Sequence, residues 1–586
     1  MLIIGLNAYH GDASAAAFAG GRLLAAAEEE RFNRIKHSAG FPAEALRYVA
    51  GASGASPTDV RTVAVARDPW ARIWPKLGYA LRMPSLAMTR IGVGGRFAAI
   101  GDAVAAALGQ PAGSITVRRV EHHLAHMASS FLVSPFDQAA LFSIDGMGDF
   151  ASAAWGVGRG NRLYPAGWVR FPHSLGILYS ALTQYLGFTR YGDEYKVMGL
   201  ASYGEPEFLD EFRRMVTAPN HGEMHFRLGT EYFVHHRSGA AMTWERGEPL
   251  LGRLYSDYLV ERLGQARAPE AEITAREHNI AASLQRRLEE VVIDRLRSLQ
   301  RATGMRQLCL AGGVAFNCVT NGKIIGNTGF DEVYIQSAAG DAGLAIGAAL
   351  YLWNHELGNP RSFVMDHSYW GPAFSDEAIA AILLERRGEL ERSGCELRRI
   401  DDDHQLCRFT AERIARGEIV GWFQGRMEWG PRALGNRSIL ADPRRPEMRE
   451  ILNRKIKRRE PFRPFAPSII EQAAGEYFES AYPSPFMLMA RRVRESKRAI
   501  LPATTHVDGS GRLQTVNRGQ NPLYYLLLSE FARQSGVPAL LNTSFNENEP
   551  VVRAPEEALG CFLRTRMDVL VMGHHVAIRR PAAALA

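Results

Sequence analysis

Residues 11–32, "GDASAAAFAGGRLLAAAEEERF", follow the apolar run "MLIIGLN" and are echoed at 148–171 by "GDFASAAWGVGRGNRLYPAGWVRF", which follows the apolar run "ALFSID". Both stretches contain GD, then ASAA, a glycine turn, RL, an alanine and RF, in that order. Each reads as a strand, a tight turn, a second strand, a glycine hairpin and a third strand. Alanine- and glycine-rich sequence produces similarity by chance, so composition alone decides nothing. The shared order of five features favours a duplicated unit.

A duplicated α/β unit led by a hairpin, with an acidic or amide residue near each first turn, suggests a two-lobed nucleotide-binding fold of the actin and sugar-kinase type. In that fold the two first turns face each other across a phosphate cleft. The following sequence agrees. "EHNIAASLQRRLEEVVIDRLRSLQ" (277–300) has apolar residues at 280, 284, 288, 291, 292 and 296 and reads as an amphipathic helix. It leads into the strand "QLCLAGG" and a helix start near "VAFNCVTNG", where backbone N–H groups can meet phosphate or ribose. A second turn of this kind lies in "YIQSAAGDAGLAIGAALYLW" (334–353), where glycines flank Asp341. A helix cap is an equally common use of a lone Asp there.

"VEHHLAHMASSF" (120–131) holds three of the chain's 17 histidines. On a helix His122 and His126 share a face and His123 points elsewhere. An exposed polar helix face and a metal site are both open readings; the latter requires a nearby carboxylate at a strand end. Asp145, closing the strand-like "QAALFSIDGMGDF", is a candidate.

A domain boundary is expected in "NHELGNPRSFVMDHSYWGPAFSD" (354–376), rich in Pro, Gly and aromatics. Beyond it, "GEIVGWFQGRMEWGPRALGNRSILADPR" (417–444) reads as two strands joined by a long glycine loop. That loop is costly to order unless it has a task. Its Arg426, Glu428, Arg432 and Arg437 suit an anion cradle better than a core. "NRKIKRREPFRPF" (453–465) is a dense basic run ending in a stiff apolar segment that would fix Arg463 in place. "PALLNTSFNENEPVV" puts Asn542, Thr543 and Ser544 just after a strand, a usual position for ligand contacts.

With 586 residues, 46% hydrophobic and 22% charged, the chain has the composition of a globular protein of two or more domains. Five scattered cysteines without CxxC spacing argue for a reducing compartment and against a thiolate zinc site. The start lacks a signal-peptide pattern and no apolar run reaches membrane-spanning length, so a cytoplasmic protein is expected. The net charge of +7 admits nucleic acid, anionic membrane or phosphorylated small molecules as partners.

Nine motifs in order, "EHHLAH", "SIDGMGD", "GDEYKVMGLASYG", "LAGGVAFNCVTNGKI", "SAAGDAGLAIGAAL", "GRMEWGPRALGNRSILADPR", "KIKRREPFRPFAP", "DGSGRLQTV" and "LLNTSFNENEPVV", span nearly the whole chain. As a set they resemble the O-carbamoyltransferases of the NodU/CmcH type, from antibiotic and Nod-factor biosynthesis. The resemblance implies an α/β protein with two domains. Residues 1–360 would be a duplicated actin-like (ASKHA, Kae1-like) domain binding metal and nucleotide, and 366–580 a YrdC-like α/β domain handling carbamoyl phosphate. The implied reaction uses ATP and carbamoyl phosphate to make carbamoyl adenylate, then passes the carbamoyl group to a hydroxyl or amine of a small acceptor.

Carried onto this chain, the resemblance makes His122, His126, Asp145 and Asp341 ligands of Fe(II) or Mn(II), and His10 the base at the acceptor. Gly312, Gly313 and Asn317 would hold the nucleoside. Lys457, Arg463, Arg512 and Ser544 would surround carbamoyl phosphate, and Arg432 would contact ATP or the adenylate. His122 is expected to face the surface, so that its loss costs metal and not the fold. His123 receives no role. A hydroxylated small-molecule acceptor is implied, with no nucleic acid or membrane partner and with a homodimer as the expected assembly. Rival readings are an actin-like kinase, which has no use for the histidine pair, and a tRNA threonylcarbamoylation enzyme, for which no RNA-binding stretch is evident. The acceptor's identity is not readable; the motif-poor stretch 221–252 is the candidate for lining its cleft.

Overall fold

The computed structural model describes residues 1–83, 95–219, 222–239 and 242–580, which form a mixed α/β protein. Packing divides the chain into two compact units, Met1–Met365 and a second beginning at Asp366.

In the first unit, β1 (Leu2–Asn7), β2 (Ser14–Ala19) and β3 (Arg22–Glu28) form an antiparallel meander, and β4 (Thr62–Val65) and β5 (Thr116–Arg119) add in parallel on the other side of β1. The order is β3-β2-β1-β4-β5. A second meander of β6 (Gln138–Gly148), β7 (Ala151–Arg159) and β8 (Arg162–Arg170) follows. Two small hairpins intervene, β9 (Val216–Thr217) with β10 (Arg227–Leu228) and β11 (Met242–Glu245) with β12 (Glu248–Leu251). Then β13 (Gln307–Ala311) and β14 (Glu332–Tyr334) add in parallel to β6, giving β14-β13-β6-β7-β8. The two sheets share strand order and sense. The repeat seen in the sequence is therefore a repeat of topology.

The long helix Ala275–Thr303 buries Ile280, Leu284, Leu288, Val291, Val292 and Leu296, as its periodicity requires, and starts with a capping box from Thr274 and Glu277. The short helix Leu344–Leu350 is buried throughout. A Cβ on Gly5 of β1 would lie 1.8 Å from the Ala345 carbonyl oxygen, and one on Gly347 would lie 1.8 Å from that of Ala125 in the helix His122–Phe131. This short helix is thus pressed backbone to backbone against the first strand on one side and the histidine-bearing helix on the other.

The second unit has one nine-stranded sheet, in the order β15 (Cys395–Arg399), β23 (His575–Arg579), β22 (Val569–Met572), β16 (Val420–Phe423), β17 (Arg437–Ala441), β21 (Ala539–Ser544), β18 (Ala466–Ile470), β20 (Ser510–Val516), β19 (Met489–Arg492). Apolar cores cover both faces, one around Trp422 and Phe531 and the other around Phe423 and Phe545. All five cysteines are free and buried. No helix among the described residues is long and apolar enough to cross a membrane.

Gly347→Ala should lower the unfolding free energy by at least about 2 kcal/mol, because the added methyl meets a carbonyl rather than a movable side chain. Gly51→Ala is the control. It lies in the helix Ala43–Ala52 with open space around it and should be neutral or stabilising by up to about 1 kcal/mol. Denaturant unfolding of the two variants measures both.

Candidate functional site

The helix His122–Phe131 starts after Glu121, whose carboxylate caps it by accepting from the Leu124 N–H at 2.8 Å. Its histidines are not on a surface. His122 is 3% exposed and His126 0%, which corrects the expectation of a surface-facing His122: this helix packs between strands β6 and β13 and the helix Leu344–Leu350 and buries nearly every side chain. His123 is a core residue. Its Nδ1 lies 2.8 Å from Ser143 Oγ, and burial, then the neighbouring histidines, hold its pKa well below the ordinary value, so the ring is neutral.

His122 and His126 meet Asp145, near the end of β6, and Asp341, which opens the turn before Leu344–Leu350. One ligating atom from each lies within 4.8 Å of all the others. His122 Nε2 is 3.2 Å from Asp145 Oδ2 and 3.8 Å from Asp341 Oδ1; for His126 Nε2 the distances are 3.9 and 3.4 Å. A first-row cation about 2.0–2.2 Å from each ligand would space adjacent ligand atoms by roughly 3.0–3.5 Å, close to what is observed. His126 Nε2 and Asp341 Oδ1 are buried and make no hydrogen bond among the described residues. That is costly for polar atoms unless a ligand joins them. The donor set therefore fits a cation, and two imidazoles with two carboxylates suit iron, manganese or zinc over calcium. Asp341 does not cap the helix that follows.

Burial pushes the His126 pKa down, but the close carboxylates of Asp145 and Asp341 outweigh it and raise the group to about 9. Against the upward push of burial, contacts from His122 and His126 hold Asp145 well below the usual carboxylate range. Asp341 is likewise lowered, with His10 outweighing burial and Asp145. His10 Nδ1 stands 2.6 Å from Asp341 Oδ2. Burial lowers the His10 pKa, and the charge and hydrogen bond of Asp341 turn the net shift upward.

A supporting layer fixes the four. Gly313 N–H donates to Asp145 Oδ1 at 2.7 Å, leaving Asp145 Oδ2 for the histidines. Gly148 is required by space, since a Cβ there would fall 2.1 Å from the His122 ring. Asp149 Oδ2 accepts from the His122 N–H at 3.0 Å and from the Asp68 N–H at 2.9 Å. Arg72 donates at 2.8 Å to both the Glu121 carboxylate and the Asp149 carbonyl. Glu121 and Asp149 were missed in the sequence. The signal for Glu121 was an acidic residue immediately ahead of a helix; for Asp149 it was the final Asp of "SIDGMGD".

The other named residues are placed as follows. Gly312 (φ +96°) packs on Ile144, whose carbonyl oxygen would be 2.1 Å from a Cβ. Asn317 caps the helix Cys318–Gly322 and exchanges hydrogen bonds with Gln285 at 2.8 and 3.0 Å, so its amide faces the long helix. In the second unit Lys457 and Ser544 are brought together: the buried Lys457 ammonium donates to the Ser544 carbonyl and to the Asn546 carbonyl and side chain. Arg463 pairs with Glu460 at 3.5 Å, Arg512 stands in β20, and Arg432 lies in the loop between β16 and β17.

Two expectations are corrected there. Asn542, Thr543 and Ser544 belong to β21 rather than following it, and Asn542 is buried against Gln514 and Ser468. Much of the expected anion cradle instead builds the loop. Arg437 is fully buried over the Phe423 ring and donates to the carbonyls of Gln424, Gly425 and Pro372, while Glu428 accepts from the N–H groups of Leu434, Asn436 and Arg437. A long loop without regular structure satisfies its backbone by drawing charged side chains inward. In the stretch 221–252, residues 221, 240 and 241 lie outside the described residues.

Two family models cover most of the chain: Carbamoyltransferase N-terminus over residues 2–76 and 102–350, and Carbamoyltransferase C-terminus over 411–579. The chain is 40% identical to an uncharacterized protein of Synechocystis, over 98% of this chain and 96% of that one. It is 39% identical to nodulation protein NolNO of Sinorhizobium fredii, over 98% and 80%. It is 34% identical to the 3'-hydroxymethylcephem-O-carbamoyltransferase of Amycolatopsis lactamdurans, over 54% and 56%. Among solved structures, component A of the Acidaminococcus fermentans (R)-2-hydroxyglutaryl-CoA dehydratase matches 60% of this chain and 97% of its own at 12% identity and a TM-score of 0.33. HypF of T. kodakarensis matches 60% and 48% at 14% identity and 0.28.

With His126 raised to about 9 it carries a proton at pH 7, and a metal must displace it. Mn(II) affinity should therefore rise about tenfold per pH unit between pH 6.5 and 8.5 and level off above about 9, with about one proton released per ion bound. Titration calorimetry in buffers of different ionisation enthalpy reads both quantities; pH-independent binding would contradict the assignment.

Proposed function

The chain belongs to the carbamoyltransferase family, and from that premise we propose that it is an ATP-dependent O-carbamoyltransferase acting through carbamoyl adenylate on a hydroxylated small molecule. The repeated sheet order supports an actin-like (Kae1-like) reading of the first unit, and the family resemblance supports a YrdC-like reading of the second. The observation that carries the function is the buried cluster of His122, His126, Asp145 and Asp341 with His10 against one of its carboxylates.

In the first half-reaction ATP, carbamoyl phosphate and water give carbamoyl adenylate, pyrophosphate and phosphate. Lys457, Arg463, Arg512 and Ser544 hold the phosphorylated reactants and Arg432 the nucleotide. A bound dianion would draw the Lys457 ammonium from the oxygens of Ser544 and Asn546 that now share it.

In the second half-reaction an acceptor hydroxyl attacks the carbamoyl carbon and AMP leaves. Fe(II) or Mn(II) at the four-residue cluster would supply a Lewis acid that neutralises charge on the departing phosphate. His10 takes the hydroxyl proton, and its Nδ1 contact with Asp341 fixes the ring and stabilises the imidazolium that forms. Gly313 keeps Asp145 oriented, and Gly312 lets the backbone close on β6.

Incubation with ATP, carbamoyl phosphate and a panel of hydroxylated acceptors should give AMP, pyrophosphate and an acceptor heavier by one carbamoyl group. ADP without AMP would instead point to a kinase. Arg463→Ala should lose about 10- to 150-fold in rate with ATP and carbamoyl phosphate, the equivalent of one charged hydrogen bond of about 1.5–3 kcal/mol. It should transfer normally from synthetic carbamoyl adenylate. Equal loss with the intermediate would overturn the division of labour between the half-reactions.

A further inference from the structure

The motif "GDEYKVMGLASYG" (192–204) has no task in the reaction as proposed, yet the residue that introduces it, Tyr191, reaches the reacting turn. A Cβ built on Gly11 would lie 2.9 Å from Tyr191 Cε1 and 3.0 Å from its Cζ and hydroxyl oxygen. The phenol therefore rests on the backbone between His10 and Asp12. On its other side the His37 ring meets it edge-on at 5.4 Å.

His37 is itself fixed. Its Nδ1 is 2.7 Å from Asp12 Oδ1, its N–H donates to Glu30 Oε2 at 2.7 Å, and Gly192 (φ +86°) leaves room where a Cβ would fall 2.1 Å from His37 Nε2. Tyr9, Asp12 and His37 all hold left-handed backbone (φ 59°, 56° and 53°), three of the ten non-glycine residues that do so among those described. Three such positions fall in this turn and its His37 partner, as at sites where geometry must be held.

Among the described residues no hydrogen-bond partner holds the Tyr191 hydroxyl. Burial, then the charges of Asp12, Asp341, Asp145 and Glu194, push the phenol well above its ordinary pKa. The phenol resting on the turn that carries His10 is thus a neutral donor that keeps its proton. A donor of this kind hinders a nucleophile, which must lose a proton, and helps an oxygen that gains negative charge.

We propose that Tyr191 is a further catalytic residue of the transfer step, its hydroxyl donating a hydrogen bond to the carbonyl oxygen of the carbamoyl group. This rests on the function proposed above. The acceptor oxygen forms its bond to the carbamoyl carbon as its proton passes to His10. The bond from that carbon to the adenylate oxygen breaks, and its electron pair leaves with AMP. Between these events charge gathers on the carbonyl oxygen, where Tyr191 meets it without giving up its own proton.

The test uses metal-loaded full-length enzyme, synthetic carbamoyl adenylate and the panel of hydroxylated acceptors. Tyr191→Phe should lower kcat by about 100-fold, the low end for removal of one such donor, with acceptor KM, metal content and ATP–pyrophosphate exchange unchanged. Gly11→Ala, which displaces the phenol, should lower kcat similarly, and the double variant should be little worse than either single one. Wild-type kcat in Tyr191→Phe, or a loss confined to KM, would overturn the assignment. A wild-type enzyme that carbamoylates no acceptor from the adenylate would overturn the proposed function and this role with it, and the two failures differ in which protein is inactive.

Discussion

Everything at the cluster depends on how closely the helix Leu344–Leu350 approaches its neighbours. Asp341 stands at the mouth of this helix, and the Ser14 hydroxyl of β2 holds the intervening turn by donating to the Ala342 carbonyl at 2.8 Å. Gly5 and Gly347 let the helix touch β1 and the histidine helix without side chains between them. An ordinary helix contact separates axes by about 8–10 Å. A larger residue at either position would press on a carbonyl oxygen and force a shift of the helix that follows Asp341.

The electrostatics follow from that approach. Two carboxylates forced into one buried volume repel each other, and both stay ionised because His122 and His126 stand against Asp145 and His10 against Asp341. The arrangement stores positive charge that a cation can replace. The outer layer holds the ligands without competing for the cation: Gly313 uses the Asp145 oxygen that faces away, and Asp149 binds the backbone of His122 and leaves its ring untouched.

The sequence was most legible where period and order carry the message. The repeated meander, the face of Ala275–Thr303 and the helical spacing of His122 and His126 all follow from local pattern. Burial of the histidine helix was not legible, since three histidines in five residues look polar, and only its position between sheets makes them interior. Arg437 misled for the opposite reason. An arginine among glycines resembles an anion site, yet backbone carbonyls and an aromatic face can satisfy it inside a loop. Asn317 and Gly313 are nucleoside contacts by family resemblance, and the structure adds their engagement with Gln285 and Asp145. Pattern identified the turn and left open which neighbours it would serve.

The closely confined glycines divide into two kinds with different prospects under mutation. Gly148, Gly11 and Gly421 are confined by side chains, those of His122, Tyr191 and Phe545, so a smaller neighbour could make room for a larger residue. Gly5, Gly347 and Gly312 are confined by carbonyl oxygens of Ala345, Ala125 and Ile144. Every amino acid carries that oxygen, so no second-site replacement can relieve the clash. Drift can rewrite the Gly421–Phe545 pair, while function holds His122 and Tyr191 in the other two. The second kind has no compensating partner, and these three positions restrict the neutral paths open to the fold more tightly than most of its core side chains do.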